Sequence, residues 1–286
     1  MSYQIITDSC CDFTDREYEA LRVTAVPLSV MWDGENHSHF SDEKALKDFY
    51  ERMRQGLVAT TSALNPADWA GAMEPWLRGG KDLLVMAVSS GISATYQSAV
   101  IAAEDLRERY PDRVIRVVDT RSGSLGEGLL VWYACKMRDA GESLHTVAEW
   151  VKKHCTRLCH WVTVDNLAHL KRSGRLSSTS AMVGTMLNIK PIIRVTEEGK
   201  LVAAGVARGR KASIRALAKK FAEARCHDEE VVAIAHGDCA GEAELLKKLL
   251  KEEYGVKHVL VGFVGPILGA HTGPGVMGLF HLGLQR

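Results

Sequence analysis

The sequence predicts an α/β protein in two parts. An N-terminal domain over residues 1–157 is built on a mostly parallel sheet with helices on both faces, and a mixed α/β domain follows over 158–286. Three observations carry this. Apolar runs alternate with amphipathic helical stretches through the first half, as in a parallel sheet covered on both sides. In the second half two apolar runs flank Glu197-Glu-Gly-Lys200, which reads as a hairpin and adds an antiparallel component. A chain of 286 residues also exceeds the usual size of one core.

Taken in order, Tyr3 to Thr7 reads as a buried strand and Val23 to Trp32 as another. Glu43 to Arg54 reads as a helix because Leu46, Phe49, Tyr50 and Met53 fall on one face. Asn65-Pro66 supplies an N-cap followed by proline at the first helical position, with Asp68 in the first turn. Leu83 to Val88 is a continuous apolar strand, and the serine loop after it opens a helix through about Tyr110. Val114 to Val118 is the next strand, ahead of Gly123, Gly126, Gly128 and a further helix. That glycine spacing is wrong for a dinucleotide fingerprint.

Beyond a domain change placed between Lys153 and Trp161, the strands are Trp161-Val-Thr-Val, Lys190-Pro-Ile-Ile-Arg-Val and Leu201-Val-Ala-Ala-Gly-Val. Helices follow at about Lys211 to Ala224 and Gly241 to Tyr254, with strands at Val231 to Ala235 and Val259 to Val264.

Composition narrows the function. Apolar content of 46% and charged content of 25% are those of an ordinary globular protein. A net charge of +1 gives no global field toward nucleic acid or an anionic membrane. Met1-Ser-Tyr-Gln-Ile-Ile-Thr-Asp8 has no basic region and no long apolar core, so no signal peptide is expected, and no apolar run approaches bilayer length. Seven scattered cysteines fit a reducing, cytoplasmic compartment. His154-Cys155-Thr-Arg-Leu-Cys159-His160 offers four metal-ligand types, but it runs into a strand that sends neighbours to opposite sides. No metal site is expected there. His236-Gly-Asp238 reads as a turn at a strand end.

The chemistry concentrates in hydroxyl-rich loops. Ile267-Leu-Gly-Ala-His-Thr-Gly-Pro-Gly-Val-Met-Gly278 sets one imidazole and one hydroxyl in a glycine-rich loop suited to an anionic head group. Thr60-Thr-Ser62 precedes the Asn65-capped helix, and Ser89, Ser90 and Ser93 follow a strand at the edge where parallel sheets bind ligands. Each of these loops is equally an ordinary set of helix caps. No Gly-x-Ser-x-Gly elbow or phosphate loop occurs. Basic turns at Leu170-Lys-Arg-Ser-Gly-Arg175 and Arg208-Gly-Arg-Lys211 are either solvated or dock an acidic or phosphorylated partner. Between them Met182, Met186, Ile189 and Ile192 give an adaptable apolar surface that fills a core or lines a hydrocarbon tunnel, and Met277 joins this set.

Together these blocks resemble the DegV family of bacterial fatty-acid-binding proteins. The matching segments are Thr7-Asp8-Ser9, Thr61-Ser62, Ser89 to Ala99, Asp119-Thr120, Leu170 to Arg175, Leu187-Asn-Ile-Lys-Pro191, Arg208 to Lys211 and Gly269 to Gly275, in family order across nearly the whole chain. Ala94 and Ser173 stand where the family often has glycine. The resemblance implies a two-domain DegV-like fold with one long-chain fatty acid between the domains and no cofactor. It implies a carboxylate bound by Thr61, Ser62, Ser93, His271 and Thr272, and an acyl tail along Met182, Met186, Ile189, Ile192 and Met277. It further implies a non-enzymatic, lipid-carrying subunit that presents the acid to a separate ATP-binding fatty acid kinase, with transient membrane contact. Arg172, Arg175, Arg208 and Arg210 are then the candidates for the partner-facing surface. The alternative is a hydrolase or phosphotransferase using Ser93 with His271.

Overall fold

The computed structural model describes residues 3–37, 42–177, 188–226 and 231–284. Strand β1 (Tyr3–Asp8) leads through α1 (Asp15–Leu21) to β2 (Val23–Val26), which pairs parallel to it. The apolar run to Trp32 then divides. Pro27 cannot donate to a ladder, so the chain leaves the parallel sheet, and β3 (Ser29–Trp32) joins β4 (Glu35–Asn36) and, after α2 (Glu43–Arg54), β5 (Thr60–Ser62) in a small antiparallel sheet.

Helix α3 (Pro66–Arg78) starts as its sequence requires. The Asn65 side chain accepts from the backbone N–H groups of Ala67 and Asp68, and the Asp68 carboxylate accepts from that of Asn65. Strand β6 (Asp82–Ala87), α4 (Thr95–Arg109) and β7 (Ile115–Asp119) complete a four-stranded parallel sheet of order β2-β1-β6-β7.

Helices α5 (Leu125–Asp139) and α6 (Leu144–His154) lead to the second sheet, whose first strand is β8 (Leu158–Thr163). The first turns of α5 are buried all round, because the helix packs between the two sheets. Two glycines permit this. A Cβ at Gly126 would lie 2.6 Å from His160 Nε2 on β8, and one at Gly128 would lie 3.0 Å from Cys11 O on the other side.

The second sheet continues through α7 (Ala168–Ser173), β9 (Leu176–Ser177), β10 (Ile189–Val195), β11 (Leu201–Arg208), α8 (Arg210–Ala224), β12 (Val231–His236), α9 (Ala240–Tyr254), β13 (His258–Phe263), α10 (Pro266–Thr272) and β14 (Met277–Leu282). Its order is β13-β12-β14-β8-β10-β11-β9, with the expected hairpin between β10 and β11. The C-terminal segment β14 is a central strand, antiparallel to both β12 and β8. Helices α8 and α9 cover one face around Ile214, Leu217, Phe221, Leu246 and Leu250, and the other face joins the core that holds α5. Among the described residues no helix is long and apolar enough to cross a membrane.

One local expectation changes here. The stretch expected to be a glycine-rich loop contains the helix α10, which carries His271 in its last turn; only the part after it, from Gly273, is loop. At the cysteine–histidine cluster α6 ends at His154 and β8 begins at Leu158, so the four side chains separate. His154 Nδ1 bonds Trp150 O and His160 Nε2 meets Ser122 Oγ. No group of three metal-ligating side chains occurs among the described residues, and all seven cysteines are free.

Candidate functional site

The strands of the parallel sheet order a crevice before any side chain is considered. The chain leaves β1 toward β2 in one direction and β6 toward β7 in the other, so the order reverses between the adjacent strands β1 and β6. Loops beyond the carboxyl ends of such strands part and leave room for a ligand. Asp8, at the end of β1, ties the two loops together. Its carboxylate accepts from Cys10 N at 2.9 Å and Val88 N at 2.8 Å. Burial pushes its pKa up to about 6.

A polar pocket opens here, with Thr61, Ser93, Arg175, His271 and Thr272 among its lining residues and Leu28, Val88, Ile267 and Leu268 between them. Thr61 Oγ1 and His271 Nε2 are 2.8 Å apart, although the two residues come from β5 and α10. Burial, with the Arg175 guanidinium as a lesser cause, pushes the His271 pKa down to about 4. The imidazole is therefore neutral near pH 7 and offers one donor and one acceptor. Ser93 Oγ accepts from Thr95 N and shares a hydrogen bond with Thr95 Oγ1 at 2.8 Å, just ahead of α4. Thr272 gives its hydroxyl proton to Leu268 O, so it offers the pocket lone pairs rather than a donor.

Ser62 is not brought in. It follows Thr61 on a strand, so its side chain takes the opposite face and is exposed. The sequence assigned Arg175 to a partner-facing surface, and the structure places it on the pocket wall. It is shared with an outer polar hollow that also carries Ser93, Ser173, Ser177 and Lys200. Lys200 escaped the sequence reading because it sits in the hairpin turn, where a lysine is ordinarily just solvated.

The polar pocket meets a second, apolar cavity along Ile92, Leu170, Leu201, Leu268 and Thr272, which line both. The apolar cavity lies between the two sheets, walled also by Val162, Ile193, Val195, Val264, Val276 and Phe280. The tail assignments require correction. Ile192 and Met277 belong to the core under α8 and α9, on the far face of the sheet. Side chains alternate along a strand, so it is Ile193, Gly278 and Phe280 that face the cavity. Ile189 is half-buried at the start of β10 and lines neither cavity. Met182 and Met186 lie outside the described residues.

The other arginines also separate. Arg172 is exposed and bonds His169 Nδ1 at 3.0 Å, and Arg208 is exposed at the end of β11. Arg210 is not available to a partner. Its side chain is 15% exposed, with Nε 3.2 Å from Glu242 Oε1 and Nη1 3.6 Å from Asp165 Oδ1.

The model of the DegV family, a family described as uncharacterised, matches residues 2–283. A DegV domain-containing protein of Clostridium perfringens is 38% identical over 283 residues, covering 98% of this chain and 97% of that protein. The chain also resembles the solved structure of a DegV-family protein from Thermus thermophilus described for its fatty acid binding. There the TM-score is 0.89 at 29% identity, over 99% of this chain and all of that one. A DegV lipid-binding protein from Thermotoga maritima gives a TM-score of 0.86 at 27% identity, covering both chains fully.

Proposed function

The chain belongs to the DegV family, and from that premise we propose that it carries one long-chain fatty acid and presents its carboxylate to a separate kinase subunit, which forms the acyl phosphate. The observation that carries the reading is the junction of two unlike cavities, one with converging polar groups and one almost wholly apolar. An amphiphile with a compact anionic end and a long hydrocarbon tail fits that junction.

The energetics divide the same way. Each methylene taken from water contributes about 0.8 kcal/mol, so a tail of roughly fourteen methylenes gains about 11 kcal/mol gross. That gain exceeds typical ordering costs. A buried carboxylate needs hydrogen-bond partners. The mutual hydrogen bond of Thr61 and the neutral His271 leaves that pair one donor for it, Ser93 offers another, and Arg175 on the same wall adds a compensating charge. The tail therefore holds the ligand and the head group positions it. The outer hollow with Arg175 and Lys200 supports phosphoryl transfer at this mouth. The seven free thiols support a reducing, cytoplasmic setting.

The hydrolase alternative requires Ser93 to pass its proton to His271. In the structure His271 Nε2 is engaged by Thr61 and Ser93 by Thr95, which favours binding over nucleophilic attack. The test is native mass spectrometry of the purified chain with lipid extraction, followed by addition of ATP and a DegV-partnering kinase subunit. One stoichiometric fatty acid, converted to acyl phosphate only when the kinase is present, is the expected result. Turnover of esters by the chain alone would overturn it.

A further inference from the structure

We propose that the Phe280 ring is the stop of the acyl cavity, and that the room it takes sets the longest fatty acid the chain accepts. This inference rests on the carrier reading above and adds to it the residue that selects among acids by length.

Strand register gives the cavity a direction. Val276, just ahead of β14, and Gly278 and Phe280 on it line the cavity in turn, because alternate side chains share a face. Val276 lies closest to α10, which ends at Thr272 on the polar side, so the series runs from the head-group end inward. On the paired strand β8, Val162 stands opposite Gly278 and His160 opposite Phe280, and both line the cavity. The next pair inward on the same face, Leu158 and Leu282, belongs to the core that holds α5 and does not line it. The cavity therefore ends at the level of Phe280 and His160.

The ring is held in place from several sides. A Cβ at Gly126 on α5 would fall 2.8 Å from Phe280 Cδ1, and one at Gly278 would fall 2.5 Å from its Cζ. His160 meets the ring edge to face, with centroids 5.4 Å apart and planes at 89°. The imidazole is itself fixed by Ser122 Oγ and Leu158 O. Phe280 is 3% exposed, so the ring acts as a plug in the gap between α5 and the sheet. Glycine at 126 and at 278 leaves the space that the ring fills.

Selection then follows from packing. Each methylene that enters the cavity raises affinity about fourfold. Once the terminal methyl reaches the ring, a further methylene finds no apolar space. It must bend the tail or draw the carboxylate out of the polar pocket, because close-packed interiors yield little. Affinity should climb with chain length and then break.

The experiment measures affinities of the delipidated full chain for the saturated acids from lauric to behenic, by competition in native mass spectrometry. The wild type should gain about fourfold per methylene up to one acid and gain nothing beyond it. In Phe280→Ala the climb should continue, so that the acid two methylenes past the wild-type limit binds about tenfold tighter than the limiting one. Gly278→Ala adds a methyl against the ring and should move the break to a shorter acid. Comparing acids within each variant cancels any general loss of stability. If Phe280→Ala does not fold, Phe280→Leu is read in its place, with a smaller shift in the same direction. A wild-type series without a break, or a break at the same acid in the folded Phe280 variant, would overturn the stop. Failure of every acid to bind the wild type would remove the carrier reading and this inference with it, whereas binding with an unmoved break removes this inference alone.

Discussion

Ser89 gives its hydroxyl proton to the carbonyl of Gly199 at 2.9 Å, joining the loop after β6 to the hairpin turn of the other sheet across 110 positions of sequence. Gly199 has φ +76°, a conformation that favours glycine, and a Cβ there would fall 2.0 Å from Ser89 Oγ. The seam runs along the apolar cavity, since both residues line it. Gly199→Ala is expected to lower stability by about 1–3 kcal/mol and to weaken lipid retention, because both backbone strain and the seam are disturbed. Thermal unfolding and lipid stoichiometry of the variant check this, and a wild-type Tm with full lipid would refute it.

His271 provides a pH signature. Its pKa in the folded chain is about 4, below the ordinary 6.5, so between those values the folded state holds fewer protons than the unfolded one. Its contribution to stability is complete above pH 6.5 and is lost as pH falls toward 4, by about 3 kcal/mol. A carboxylate bound beside the ring favours the imidazolium and should raise the pKa. Histidine NMR titration with and without fatty acid measures it, and an unmoved His271 resonance would separate the imidazole from the head group.

Asp8 works in the opposite sense. Its folded pKa of about 6 lies above the ordinary 3.8, so its contribution is complete below pH 4 and is lost as pH rises through 6. The shift corresponds to about 3 kcal/mol. Asp8→Ala should flatten that part of the stability profile. It should also leave Cys10 N and Val88 N unpaired, costing about 1–3 kcal/mol for each at pH 5. Denaturant unfolding at a series of pH values is the check.

Arg208 and Arg210 are two residues apart and should behave differently. Arg208→Glu alters an exposed charge and should leave Tm and lipid binding unchanged while weakening the kinase complex. Arg210→Ala removes the partner of Glu242 and Asp165 and should lower stability by about 1 kcal/mol. Equal effects of both substitutions on kinase affinity would contradict the assignment.

Much of this was legible in the chain. The βα alternation, the β10–β11 hairpin and the Asn65 cap follow from local pattern, because each depends on residues within one turn or one strand of each other. Thr61, Ser93 and His271 were legible as hydroxyl and imidazole loops resembling those of a known family, and the structure brings them into one pocket. The break at Pro27 was present in the sequence and outweighed by the apolar run around it, which reads as one strand although it serves two sheets.

The sequence by itself determined most of the element types, the short helices α7 and α10 excepted, and the residue kinds at the polar pocket, since propensity, capping and periodicity act over a few residues. Tertiary structure alone decided which side of each strand faces the cavity. A period of two allows either Ile192 or Ile193 to face the cavity, and only the docking of α8 and α9 on one face fixes the choice. It also decided that Arg175 lines the pocket while Arg210 is held by Glu242, and that Ser122 finds His160 across 38 residues of sequence. Charge and hydrogen-bond sense depend on distances in space, and those are set only when the two sheets close on α5.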